Sequence, residues 1–517
     1  MILNKIYFTL ITLVWFTTAS SAQNVGNALL FSQQNYGSTA RSKAMGNAFG
    51  ALGGDFGSLS INPAGIGIYQ YGEISASTNL LNLNSTESSY QGNSFTQDNN
   101  KFNLKNLGFV QVMPSKKEFS GIVSLNYGIG FNRLANFNQN SFVSTESSPY
   151  SRMDAFAQKT NGINYNRLMP AEEYSPYAGG IPWESILAWD NYLTDVTNPD
   201  TGGDQYTTFL LQNEKVKQRE TDHNDGYLNE YIATIGINYN HRLYLGATFG
   251  LQNLHYDETK MYSEVGIDEV GSNLKSWGQF DYSSHSRTSG IGFNLKIGLI
   301  YRPIPVLRIG IAVHTPTWFK IKNSYSAWMK STLTGVSDVA DGLHSEETPT
   351  NNDKYSFHTP LRAVCSIGYQ FAKRGMLSLD YEFVDYSSSK FSKGLSGDEY
   401  NLENGDIKSA YRAVSNIRIG GEYKATNAIS LRAGVELLGN PYKPNQSGSF
   451  RLNQDYNFKT YNGGIGYRAG KYSFDLTYGL GDKTSSGYLY TIDGVVVDPV
   501  RYHTFTHEVL FTFCMRI

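Results

Sequence analysis

The chain has 517 residues, 14% aromatic and 17% charged, with a formal net charge of −2 and a mean hydropathy of −0.37. So balanced a charge offers no basic field for nucleic acid, and beyond the N-terminus no apolar run nears the ~18 residues of a membrane helix. Yet Tyr (37) and Phe (28) are abundant, which suits a barrel in lipid, where outward apolar and inward polar residues average out along each strand.

The N-terminus reads as an export signal over 1–22. Lys5 gives a short basic region, residues 6–16 an apolar run too short to span, and Ser20-Ser21-Ala22 the small residues that place cleavage before Gln23. No Cys follows closely, so a lipoprotein is not expected. Residues 23–70 are crowded with Gly and Ala, among them Gly37, Ala40, Gly46, Ala51, Gly54 and Gly67. Residues 41–52 are read as one short helix. The segment is too flexible to stand alone. It needs a host, and a barrel lumen is the obvious one, with Arg41, Lys43, Asp55 and Phe56 as anchors. Near its end stands Ser58-Leu59-Ser60-Ile61-Asn62-Pro63-Ala64-Gly65. Pro fixes φ and Asn bonds its own backbone, so Asn62-Pro63-Ala64 reads as a rigid turn before the first strand.

Strands follow. In 119–133, Phe119, Val123, Leu125, Tyr127, Ile129 and Phe131 alternate with Ser120, Ser124, Asn126, Gly128, Gly130 and Asn132, giving one apolar and one polar face. About fourteen such segments are predicted, the even number expected of a transmembrane antiparallel β-barrel. They span 72–84, 103–113, 119–133, 229–240, 243–256, 286–302, 306–315, 357–372, 376–387, 410–424, 427–438, 456–468, 471–482 and 502–517. Alternation slips once, at Leu80-Leu81. Short connections (114–118, 240–242, 302–305, 372–375, 424–427, 468–471) alternate with long ones (85–102, 134–228, 257–285, 316–356, 388–409, 439–455, 483–501). Barrels of the outer membrane keep short turns in the periplasm and long loops outside; a soluble β-protein has no reason to sort its loops so. Residues 71–517 are therefore assigned to the barrel, in the outer membrane of a Gram-negative bacterium.

By parity the lumen receives Lys296, Arg308, Arg362, Asp380, Glu382, Arg418, Glu422, Arg432 and Glu436. A carboxylate ligand wants a cation with few competing acids, which favours Arg308 and Arg362; a ladder of stiffening ion pairs is the other reading. In the longest loop, residues 182–189 form a short helix, with Pro182 in its first turn and Trp183, Ile186 and Leu187 on one face. That face is either an exposed apolar groove or a lid on the barrel mouth. No catalytic constellation, metal site or cofactor motif is found: the nine His are scattered, and His503 and His507 lack a third ligand. Asp222-His223-Asn224-Asp225-Gly226 departs from a calcium loop in its Gly position and is read as a solvated loop. Gly65-Ile66-Gly67 lacks the rest of a dinucleotide fingerprint. Cys365 and Cys514, in separate strands, give no disulfide framework.

An Asn-Pro-Ala before the first strand, behind a Gly/Ala-rich segment, resembles the FadL/TodX (OMPP1) family of outer-membrane hydrophobic-compound transporters. Residues 308–316 (Arg-Ile-Gly-Ile-Ala-Val-His-Thr-Pro) and 377–386 (Leu-Ser-Leu-Asp-Tyr-Glu-Phe-Val-Asp-Tyr) are similar to later strands of that family. The resemblance covers essentially the whole mature chain. It implies a fourteen-stranded monomeric barrel plugged by its own N-terminal hatch, and passive uptake of long-chain fatty acids or other hydrophobic molecules. It implies ligand contacts from the hatch (Phe56, Asn62, Pro63, Ala64), with first capture at Trp183, Ile186 and Leu187. It also implies an inward kink in the third strand for lateral release into lipid. Gly128 and Gly130 are the candidates there, since Gly permits a kink or bulge; equally, they are small lumen residues beside the plug. A polar-solute porin and a loop-mediated receptor or adhesin are the rivals. A lipid hydrolase would need a Ser/His pair that the pattern does not supply. The ligand, whether fatty acid, aromatic hydrocarbon or haem-like compound, is left open.

Overall fold

The two-residue period of the sequence becomes a closed wall. The computed structural model describes residues 25–115, 121–198, 203–210, 214–267, 277–336, 339–371, 374–393, 400–444 and 455–517. The expected leader, 1–22, and residues 116–120, which hold most of the short connection expected over 114–118 and the start of the strand expected over 119–133, lie outside the described residues. The wall begins with β1 (Glu73–Tyr90), β2 (Leu104–Pro114), β3 (Ile122–Asn136), β4 (Val216–Tyr239), β5 (Leu243–Gly266), β6 (Gly278–Ile304) and β7 (Leu307–His314). It continues as β8 (Arg362–Phe371), β9 (Gly375–Asp385), β10 (Ala413–Lys424), β11 (Ile429–Leu438), β12 (Asn457–Ala469), β13 (Tyr472–Gly487) and β14 (Val500–Arg516). Each strand pairs antiparallel with the next. β14 pairs back onto β1, from Glu73↔Arg516 to Ser89↔Arg501, so the wall leaves no open sheet edge. The slip read at Leu80-Leu81 is a bulge: the β1–β14 register shifts between Asn79 and Leu81.

The wall is apolar outside and polar inside. Along β6, Ile291, Phe293, Leu295, Ile297 and Tyr301 are exposed, while Asn294 and Lys296 are buried inward. Leu431 of β11 likewise faces out. At the short-turn end exposed Tyr239, Tyr301, Tyr369, Tyr423 and Tyr467 make a ring of aromatics. Tyr231 and Phe293 stand eight residues further along β4 and β6, ~26 Å along a strand at ~3.3 Å per residue, or ~20 Å of height at a tilt of ~40°, most of the ~25 Å apolar band of such a barrel. Among the short turns, Asn240 and His241 join β4 to β5 with φ of 51° and 53°, the left-handed pair whose twist matches a two-residue hairpin.

Above the upper aromatics the wall goes on, where loops were expected. β1, β4, β5 and β6 run well beyond their predicted ends. Additional strands Asn93–Asn100, Gln139–Ser148, Trp318–Leu333 and Asn351–His358 prolong β2, β3, β7 and β8. The outer face of these segments meets water and is largely polar, while the inner face mixes polar residues with apolar ones such as Val143, Phe319 and Met329, so the lipid-type pattern of apolar outside and polar inside does not mark them. The supposed loop Asp222–Gly226 lies within β4, paired with β5 from Asp222↔Lys260 to Gly226↔Tyr256. β7 and β8 are interrupted at the same height, at Pro316 and Pro360, which cannot donate to a ladder. There the Thr317 N–H donates to the Thr359 hydroxyl (2.9 Å) and the Thr359 N–H to the Thr317 carbonyl (3.1 Å).

The N-terminal segment lies inside. It comprises α1 (Val25–Ser32), α2 (Ala40–Ala44) and two 3-10 turns, Phe56–Ser60 and Pro63–Ile68, with most side chains buried. The helix expected over 41–52 is shorter. Thr39 caps its start, and Gly46 and Asn47 end it at φ of 57° and 59°, the left-handed conformation that closes helices. The top of the tube is filled by α3 (Arg152–Thr160) and α4 (Trp183–Asp190), packed among Val143, Tyr262, Phe280 and Met329.

Candidate functional site

The inner wall is shaped as a mould of the hatch, and glycine makes the mould. Phe56 lies over Gly108 and Gly130, so closely that a Cβ at either would overlap its ring. A Cβ at Gly128 would meet Ile66 Cδ1 at 3.1 Å, and one at Gly236 would meet Ile66 Cγ2 at 2.5 Å. Asn62 sits in the hollow left by Gly298 and the Pro63 carbonyl in that left by Gly246. The Asn62 amide donates to the Gly50 carbonyl (2.6 Å) and the Leu299 carbonyl (3.3 Å), while its oxygen accepts from the Ala64 N–H (3.0 Å). Asn62-Pro63-Ala64 is thus a rigid turn that also fastens the hatch to β6, and its three residues are buried against the wall.

Charges complete the fit. Arg41 pairs with Glu422 (2.9 Å), which also holds Arg432 (2.6 Å); Arg432 reaches Asp475 (2.6 Å). Lys43 and Lys105 share Glu508 at 3.2 and 2.8 Å. Glu230 accepts from the Ser60 hydroxyl (2.8 Å) and pairs with Lys296 (2.6 Å). Asp380 accepts the Gly50 N–H at 2.8 Å. Of the expected anchors, Arg41 and Lys43 therefore reach wall carboxylates and Phe56 reaches wall glycines. Asp55 does not reach the wall: it accepts from the Thr39 hydroxyl (2.6 Å) and Gly57 N–H (2.9 Å) within the hatch.

Arg362 is not a free cation. It pairs with Glu382 at 3.1 Å and donates to the Ser32 carbonyl, at the buried centre of a network. Arg418 bridges Glu382 (3.4 Å) and Glu436 (2.6 Å) and stacks on Tyr36, 4.8 Å from the ring centroid. Parity shows which residues face inward but not what stands diagonally across the next strand, so Glu382 went unseen as the partner of Arg362. Arg308 donates to the Leu52 carbonyl at 2.7 Å. It lines a cavity of about 560 Å³ beneath the hatch, beside Arg41, Glu73, Glu422 and Arg468, at the short-turn end. A second cavity, of about 180 Å³, lies higher, beside α1, between the tops of β3, β12 and β13.

Gly128 and Gly130 lie in unbroken ladders, paired with Val110 and Gly108 of β2 and with Thr234 and Ile232 of β4. The kink expected there is absent, because the hatch side chains Phe56 and Ile66 fill the space a kink would take. The irregularities of this strand lie at its lower end, where its register against β4 shifts between Ile122 and Ser124, and higher up. There its register against β4 shifts between Arg133 and Ala135, and its ladder with β2 ends at Asn106↔Asn132. Above that point side chains reach across from the neighbouring strands: the Asn84 amide of β1 donates to the Asn138 carbonyl (2.7 Å), and the Asn99 amide, on the strand that prolongs β2, donates to Asn140 (3.3 Å).

The helix read in the long loop is α4. Ile186 and Leu187 are fully buried, and Trp183 packs half-buried between Tyr177 and Tyr325, centroids 5.5 and 5.8 Å away. Its apolar face is a lid and not an exposed groove. Glu184 fastens it through Lys159 (2.5 Å), Arg152 (3.9 Å) and the Tyr282 hydroxyl (3.2 Å). Burial pushes the Glu184 carboxyl up, but Lys159 and Arg152 outweigh it and hold it at about 2.

Residues 233–475 match the family described as outer membrane protein transport protein (OMPP1/FadL/TodX). Among solved structures the chain is similar to a Pseudomonas aeruginosa FadL homologue, with 12% identity and a TM-score of 0.53 over 93% of this chain and 98% of that one. It is also similar to a deltaS2 mutant of the TodX monoaromatic hydrocarbon channel, with 11% identity and a TM-score of 0.52 over 93% and 98%. No curated protein matches it in sequence.

Proposed function

We propose, from the match of residues 233–475 to the OMPP1/FadL/TodX family of outer membrane transport proteins, that the chain carries hydrophobic small molecules inward across an outer membrane without energy coupling. The cargo classes in view are long-chain fatty acids and monoaromatic compounds. The observation that carries this reading is the filled lumen. Hatch atoms bond to inward groups on β4, β6, β9, β10 and β14. A polar-solute porin needs a wet channel at that level.

The route starts at the lid, where Trp183, Ile186 and Leu187 meet the cargo once α4 lifts. It continues past α1 to the hatch, whose Phe56 and Asn62-Pro63-Ala64 surfaces become available as it shifts. Lateral release uses the third strand, at the irregularity over 133–138 and not at Gly128 and Gly130. Arg308 then guards the lower mouth. The working unit is a monomer.

A reversible hatch lock tests this. Ser60→Cys and Asn132→Cys replace two side chains that touch, with the Asn132 amide 2.9 Å from the Ser60 hydroxyl; Cys365 and Cys514 are changed to Ser. Oxidation is expected to cut toluene and oleate uptake at least ten-fold, and dithiothreitol to restore it. Uptake indifferent to the lock, or sugar flux through the locked protein, defeats the reading.

A further inference from the structure

The upper cavity holds a cation without a counter-charge. Lys483 continues the inward series Asp475, Thr477, Gly479 and Gly481 along β13. Its ladder partners are Phe458 on β12 and Thr504 on β14, and all three residues line the cavity. Among the described residues no carboxylate lies within ion-pair distance of its ammonium. By contrast Lys43, Lys105, Lys296, Arg362, Arg418 and Arg432 each hold one. An ammonium withdrawn from bulk water toward apolar walls calls for an anion.

Among the described residues that line the cavity, Lys483 is the one that carries a charge. The Asn136 amide does not answer it: its oxygen accepts from the Asn138 amide at 2.9 Å and its Nδ2 is closed off from the space. A carboxylate, which only accepts, can satisfy the ammonium. The remaining lining includes Leu30, Phe137 and Tyr256. The volume sets the size of the guest. At about 180 Å³ it slightly exceeds the ~150 Å³ apolar cavity that takes up benzene, room for one ring and a small head.

We infer that the upper cavity binds a ring-sized monocarboxylate, its carboxylate held by Lys483 and its apolar body lying against Leu30 and Phe137. The inference rests on the transport reading in taking this ligand for cargo; the binding itself stands or falls separately. Lys483 then sets preference, favouring an aromatic acid over the neutral hydrocarbon of the same size.

Equilibrium dialysis of radiolabelled benzoate and toluene against the purified full chain in detergent tests it. Saturable benzoate binding is expected, with Lys483→Gln lowering the benzoate-to-toluene affinity ratio at least ten-fold and Lys483→Arg keeping it within about three-fold. In the unaltered chain, benzamide, the neutral isostere, should bind at least ten-fold more weakly than benzoate, a comparison that needs no variant to fold. Absence of saturable benzoate binding, equal binding of benzoate and benzamide, or a ratio indifferent to Lys483→Gln overturns the inference. Uptake blocked by the hatch lock alongside any of these leaves transport standing without this site; benzoate binding without uptake of any probe does the reverse.

Discussion

A missing methyl group decides how the hatch seats. At Gly108 a Cβ would overlap the Phe56 ring and meet the Ser75 hydroxyl at 2.7 Å. Replacing Gly within a strand ordinarily helps, because Gly loses the most freedom on folding. Here the sign reverses: Gly108→Ala is expected to destabilise by ~1–3 kcal/mol through overpacking, lowering the temperature at which the folded barrel loses its fast gel mobility. Adding Phe56→Leu should recover part of that loss. Arg418 offers the opposite case, a group whose removal leaves partners stranded. Arg418→Met leaves Glu382 with Arg362 and the Asn416 amide (2.8 Å) and Glu436 with little but the Asn47 amide at 3.4 Å. A loss of ~3–5 kcal/mol is expected for one side of a buried pair, read by the same assay. Sequence reasoning found the residues that face the lumen but misjudged which were free. Arg362 looked available because its partner lies on the next strand. Lys483 escaped because the predicted strand stopped at 482, one residue short of the charge that has no mate.

At the scale of elements, the lid is the piece with a pH signature. Glu184, held at about 2 against an ordinary 4.5, stabilises the docked α4 fully above pH 4.5 and loses that contribution as pH falls toward 2. Hydrogen-exchange protection of the α4 amides, corrected for intrinsic rates, should drop across that window, and Glu184→Gln should remove the dependence. The lipid-facing strands were legible because lipid demands strict alternation; even the β1 bulge showed as two consecutive leucines. The tube above them was not, because water on the outside relaxes the rule, and strands such as Val216–Tyr239 begin with nine residues of mixed polarity. The 3-10 turns and α1 of the hatch were hidden for another reason: their conformation is imposed by the wall they fill, not by local periodicity.

For the molecule as a whole, orientation follows from the outward band. Ile297, 67% exposed and midway between Phe293 and Tyr301 on β6, should face hydrocarbon; Ile297→Arg is expected to cost ~2–4 kcal/mol in a bilayer, measurable as a shift in the urea midpoint of folding into vesicles. The same change at Leu343, 68% exposed on a strand far above the band, should register near zero. The height of the tube has a consequence of its own. β6 alone climbs fifteen residues past Phe293 to Gly278, ~50 Å of chain at ~3.3 Å a residue. A chimney of that reach stands its entrance clear of the outer leaflet. On the transport reading, guests then reach that entrance through the aqueous phase, and their solubility in water, more than their partition into fat, sets the pace of loading.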